Sequence, residues 1–122
     1  MTYQSALKTY IEATNSHQFE KVAHVLHPEA LYWFTDETCA THDAIQHYFE
    51  QAWEKVKDEV YEAVDVTWLT ATDTTAVCTY TYKYKGYVEG RFVTGSGRAT
   101  NVFVVDENGA WKLIHEHLSS LP

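Results

Sequence analysis

The hydrophobic period of this chain changes near residue 60. Apolar residues recur every third or fourth position up to Val56, and every second position from about Val60 onward. In the first half, Tyr3, Ala6, Leu7, Tyr10 and Ile11 keep the i, i+3, i+4, i+7, i+8 spacing of a helix with one buried stripe, which Asn15-Ser16 closes. Phe19, Val22, Ala23 and Leu26 form a second stripe that ends at His27-Pro28, because the residue before proline is pushed out of helical geometry. A short strand is predicted over 30–34. After the polar stretch TDETCATHD, Ile45, Tyr48, Phe49, Ala52, Trp53 and Val56 predict a third helix, with Thr41 as N-cap and Asp43 in its first turn. Beyond it, β-branched and aromatic residues predict strands near 60–70, 75–85, 87–105 and 110–119. Helices followed by strands mean an α+β fold. The run 87–105 is too long to be flat, and Gly90, Gly95 and Gly97 predict bulges or a bend in a sheet curved around a hollow.

A chain of 122 residues suits one domain able to bury a core without staples. Nine Tyr and four Trp give it an unusual stock of side chains that both pack and hydrogen-bond. A net charge of −8, with nine scattered Lys and Arg, speaks against a nucleic acid or an acidic membrane surface as partner. The amphipathic start MTYQSALKTYIEA has neither a leader nor a membrane span, so Cys39 and Cys78 read as reduced thiols of a cytoplasmic protein.

Asn108-Gly109 is the strongest short hairpin signal in the sequence. As a two-residue turn it sets residue pairs summing to 217. One face then carries Val104 with Leu113, Val102 with His115, Thr100 with His117 and Arg98 with Ser119. The other carries Val105 with Lys112, Phe103 with Ile114, Asn101 with Glu116 and Ala99 with Leu118. The first row grades from apolar to polar, as expected of a face that is core at one end and pocket at the other. A three-residue turn would break this register.

The order of these pieces resembles the nuclear transport factor 2-like, or cystatin-like, superfamily and within it the SnoaL-like domain. The carriers are ATNSHQFEKVAHVLHPEA, THDAIQHYFEQAW and GAWKLIHEHLSS. IEATNSHQFE and HEHLSSLP are also similar to the association domain of calcium/calmodulin-dependent protein kinase II, a hub-forming module. The resemblance implies one SnoaL-like domain over residues 1–122. It also implies a cone, with three N-terminal helices on a strongly curved, mostly antiparallel sheet, open at one end and dimeric through the sheet's outer face. In the steroid isomerase branch a first-helix tyrosine donates to a developing enolate, and TYIEATN places it at Tyr10. The position of that branch's general base is Phe34 here, which cannot accept a proton, and Asp36 lies two residues on.

These readings assemble a site. His115 and His117 on the pocket face would move a proton, Tyr10 would donate, and Arg98 would hold a carboxylate or phosphate beside Thr100, Trp33, Trp68 and Asp36. A metal reading of His115 and His117 needs further ligands, and no recognisable metal spacing supplies them, so neither a metal nor another cofactor is expected. Tyr80, Tyr82 and Tyr84 share one face, suited to packing in the sheet, to a dimer interface or to lining the pocket. The expected partner is a small neutral or anionic organic molecule. The alternative is an association module like the kinase hub.

Overall fold

The computed structural model describes residues 2–121. Helix α1 (Tyr3–Asn15) opens with a reciprocal cap, in which Thr2 Oγ1 accepts from the Ser5 amide at 3.1 Å and Ser5 Oγ accepts from the Thr2 amide at 3.0 Å. Helix α2 (Phe19–Val25) ends two residues earlier than the proline alone predicts. Leu26 is already extended and pairs with Leu113, so strand β1 (Leu26–Trp33) begins ahead of His27-Pro28. The β1 ladder breaks between Leu26 and Leu31, a stretch that includes Pro28, which has no N–H to give. Two residues, Thr38 and Cys39, form β2. Thr41 caps α3 (His42–Lys55) as expected, accepting from the Ala44 amide at 3.1 Å.

Strands β3 (Lys57–Ala71), β4 (Thr75–Val88), β5 (Arg91–Val105) and β6 (Trp111–Ser120) complete a six-stranded sheet in the order β2-β1-β6-β5-β4-β3. Only β1 and β6 run parallel. The fold is thus α+β, with three helices on a mostly antiparallel mixed sheet. α1, α2 and α3 bury Leu7, Tyr10, Val22, Ile45 and Phe49 against Tyr32, Phe103 and Leu113 of the sheet's inner face.

The predicted strand 87–105 is two strands. Glu89 and Gly90, at φ +51° and +79°, form a two-residue turn between the paired Val88 and Arg91. Nor do Gly95 and Gly97 interrupt the sheet, since the β4–β5 ladder runs in unbroken register. They are there for space. A Cβ on Gly95 would lie 2.4 Å from the Tyr84 ring, and one on Gly97 would lie 2.5 Å from both Tyr82 Oη and the Ser119 carbonyl, so each cross-strand tyrosine lies over a glycine. The irregularities fall instead in β3, where register breaks accompany Asp58 and Asp65 at φ +54° and +55°.

The final hairpin departs from the predicted register near its turn. Asp106 accepts at its carbonyl from the Gly109 amide, and at Oδ1 from the amides of Asn108 and Ala110, so the turn is Glu107-Asn108-Gly109 with Gly109 at φ +80°. Pairs near it therefore sum to 216, as in Phe103 with Leu113. A bulge at Ile114 restores the sum of 217 from Val102 with His115 onward.

Candidate functional site

That single extra residue decides which face of β6 meets the helices. Leu113 and Glu116 now lie on the inner face together, although three positions apart, while His115 and His117 point outward. Glu116 is 2% exposed and Asn101 0%; they form one inner row with Tyr32, Cys78 and Trp68 across five strands.

Glu116 is held by a set of donors that all converge on Oε1: Tyr10 Oη at 2.9 Å, Asn101 Nδ2 at 2.9 Å and Tyr80 Oη at 3.5 Å. Tyr32 Oη donates in turn to Tyr10 Oη at 2.8 Å. Five elements supply this arrangement: α1 brings Tyr10 down its buried stripe, β1 brings Tyr32, and β4, β5 and β6 bring Tyr80, Asn101 and Glu116. Burial pushes the Glu116 carboxyl up to about 7, although its bonds to Asn101, Tyr10 and Tyr80 each favour the anion. Burial, and then the Glu116 charge, hold the Tyr10 and Tyr32 hydroxyls well above the usual tyrosine range, so both stay protonated as donors. Asn101 Oδ1 is buried and has no partner.

Glu116 sits on the wall of an open-mouthed cavity of about 840 Å³ bounded by α1, residues 34–37, α3 and the inner face of β3 to β6. Aromatic rings dominate its lining. Phe34 stacks on Tyr48 at 3.5 Å between centroids and Tyr61 lies nearly parallel to Tyr82 at 5.8 Å, with Trp53 and Tyr84 completing the walls. Asn15 fixes the Tyr61 backbone through two side-chain bonds, to its amide at 2.7 Å and from Asn15 Nδ2 to its carbonyl at 2.8 Å. Glu59, also on the lining, is pushed up to about 7 by burial. At the exposed rim, Asp36 accepts from Tyr48 Oη at 2.8 Å.

Of the residues singled out from sequence, the structure places Tyr10 and Asp36 on this cavity and the others elsewhere. His115, His117, Thr100 and Arg98 lie on the sheet's outer face. There Trp33, 45% exposed, lies nearly perpendicular to both imidazoles at 5.1 and 5.3 Å between centroids, and a ring nitrogen of His115 meets the Leu31 carbonyl at 2.7 Å. Trp68, partly buried, packs at the edge of the core against Tyr3 and Phe103. The tyrosine row expected to favour packing or an interface faces inward, with Tyr80 in the core and Tyr82 and Tyr84 on the cavity. Among the described residues no group of three or more His, Cys, Asp or Glu could hold a metal ion, and no helix is long and apolar enough to cross a membrane.

Solved structures repeat this architecture. An association domain from Xanthomonas campestris, provisionally assigned to calcium/calmodulin-dependent protein kinase II, is 24% identical with a TM-score of 0.86, over 98% of this chain and 86% of that one. A nuclear transport factor 2-like superfamily protein from Salmonella enterica is 13% identical with a TM-score of 0.87, over 97% and 87%. A protein of the same fold family from Streptomyces avermitilis, provisionally assigned as a dehydratase, is 20% identical with a TM-score of 0.83, over 98% and 94%. No curated protein is significantly similar in sequence. Residues 4–122 match the SnoaL-like domain, and the chain belongs to that family.

Proposed function

We propose that this protein binds a small organic molecule in the cone's cavity and exchanges a proton with it through Glu116, in a cofactor-free reaction of the isomerase, dehydratase or hydrolase type. One observation carries the reading: a fully buried carboxyl titrating near 7 on the wall of a large aromatic cavity. A group whose pKa matches the surrounding pH is present in both proton-accepting and proton-donating forms. Its donors occupy Oε1, which leaves Oε2 as the oxygen to work on a ligand. Tyr10 and Asn101 position the carboxylate. A half turn of the Asn101 amide would offer its Oδ1 to a protonated Glu116, so the pair suits both charge states.

Two lesser elements belong to the same reading. Cys39 and Cys78 are free and buried, which suits a cytoplasmic protein, and the outer face of the sheet suits a homodimer. The test is hydrogen exchange: incubate the protein in D2O with a panel of small cyclic ketones and follow deuterium entry beside the carbonyl by NMR. A hit whose exchange drops at least about 100-fold in Glu116→Gln supports the proposal. Exchange that survives in that variant would overturn Glu116 as the base.

The second reading is an association module. It is favoured by the exposed Trp33 on the outer face, flanked by His115 and His117, and by the likeness to the Xanthomonas association domain. Sedimentation separates the two: a ring or larger oligomer supports assembly as the main role, and a monomer or dimer does not.

A further inference from the structure

The charge of the cavity wall is one-sided. Asp36, Glu37, Glu54, Glu59 and Glu116 line it, against a single Lys55, and neither arginine nor histidine is among the lining residues. Glu54 pairs with Lys57 at 3.1 Å on the exposed surface, and the four other acidic side chains share the lining with one ammonium, Lys55. They are graded in depth, with Asp36 and Glu37 exposed, Glu59 half-buried and Glu116 fully enclosed. The lining between them includes the rings of Phe34, Tyr48, Trp53, Tyr61, Tyr82 and Tyr84.

We propose that the natural occupant is a cationic organic molecule, an amine or quaternary ammonium of about the size of a substituted ring, held by aromatic faces with its charge toward Glu116. This rests on the cavity being a binding site, as proposed above, and adds the chemical class of its ligand. An aromatic face attracts a cation through the ring quadrupole, most strongly where water is excluded. A buried carboxylate without a counter-charge is costly, and a bound cation supplies one where a neutral ligand does not. An anion meets only like charge on the way in, and the guanidinium that sequence placed in the pocket, Arg98, is on the other face of the sheet. The enclosed carboxylate with an oxygen free of donors separates this arrangement from a merely acidic surface.

The experiment is calorimetric titration of the full chain at pH 7.5 and moderate salt with three probes of similar size: benzyltrimethylammonium, benzyl alcohol and phenylacetate. The expected result is saturable one-to-one binding of the ammonium, at least about tenfold tighter than the alcohol, with phenylacetate weakest. Glu116→Gln and Glu59→Gln should each weaken the ammonium about three- to tenfold and leave benzyl alcohol within about twofold. Glu107→Gln, exposed in the last turn, should change nothing, which separates a site effect from the pull of the overall −8 charge. If Glu116→Gln fails to fold, Glu59→Gln and Asp36→Asn carry the comparison. Alcohol binding equal to or tighter than ammonium binding, or phenylacetate binding tightest, overturns the cation assignment and leaves the cavity as a binding site. Absence of binding by all three at millimolar concentration overturns both.

Discussion

The two faces of β6 hold titratable side chains in opposite circumstances. His115 and His117 stand on the outer face, one half-buried and one exposed, with Trp33 against both rings and the Leu31 carbonyl at a ring nitrogen of His115. Glu116, between them in sequence, is enclosed by three donors and pushed up to about 7. An imidazole needs no special environment to titrate near neutrality, whereas a carboxyl reaches that range only through burial. The two imidazoles are on the wrong face for the cavity, and the carboxyl that burial forces into the useful range is on its wall. Residue type therefore identifies the site less well than enclosure does.

The largest effect expected from this contrast is on stability as a function of pH. Glu116 takes up its proton near pH 7 in the folded chain and near 4.5 when unfolded. Between those values the folded state binds a proton that the unfolded state does not, so stability falls as pH rises and is lowest above 7. The loss is of order 3 kcal/mol for a carboxyl so fully buried. Glu59 acts in the same direction but is partly open to water. Urea unfolding should show a lower midpoint at pH 8.5 than at pH 5, and Glu116→Gln should remove most of that difference. An equal pH slope in wild type and variant would mean that Glu116 is not the buried acid.

Next in size is Gly97→Ala, on the inner face beside Tyr82. The new methyl would lie 2.5 Å from the Ser119 carbonyl and from Tyr82 Oη, so strand or ring must move, at about 1–3 kcal/mol. Ser96→Ala, one residue away on the outer face, should stay within about 0.5 kcal/mol. Similar losses in both would show that the tyrosine is not seated on the glycine. Tyr10→Phe comes third. It removes one donor from Glu116 and the acceptor used by Tyr32, costing about 1–2 kcal/mol. Because that bond favours the anion, its loss should also raise the pH at which Glu116 titrates, which a simple packing defect would not do.

The architecture was legible in the sequence because its signals are local and repeated. The buried stripes of α1 and α3, Thr41 as a cap and the alternation beyond residue 60 each depend on near neighbours. Even the far end of the last hairpin, from Arg98 with Ser119 to Val102 with His115, keeps its predicted pairs. The site was not legible, and one residue explains why. With a two-residue turn, Leu113 shares a face with His115 and His117, and that row, grading from apolar to polar, reads as the pocket wall while Glu116 falls on the other face with Lys112. The three-residue turn around Asp106 and the bulge at Ile114 send Lys112 outward and leave Glu116 inside. The spacing of Asp106 from Asn108-Gly109 was the one available hint, since an aspartate there can accept from the amides of Asn108 and Ala110. Tyr10, which α1's stripe marks as core and the family likeness marks as a donor, lies on the cavity lining.

The smallest expected effect is also the sharpest test of which face matters. His117→Ala removes an exposed ring whose aromatic neighbours among the described residues are Trp33 and His115, so stability should change by less than about 0.5 kcal/mol. Binding of benzyltrimethylammonium should be unaltered, because the side chain is not on the cavity wall. What should change, if the outer face joins two copies, is the sedimentation profile, since Trp33 loses the imidazole packed at 5.3 Å against it. Loss of ligand affinity with the oligomeric state intact would instead return proton chemistry to the histidines and require the last strand to present its other face to the helices.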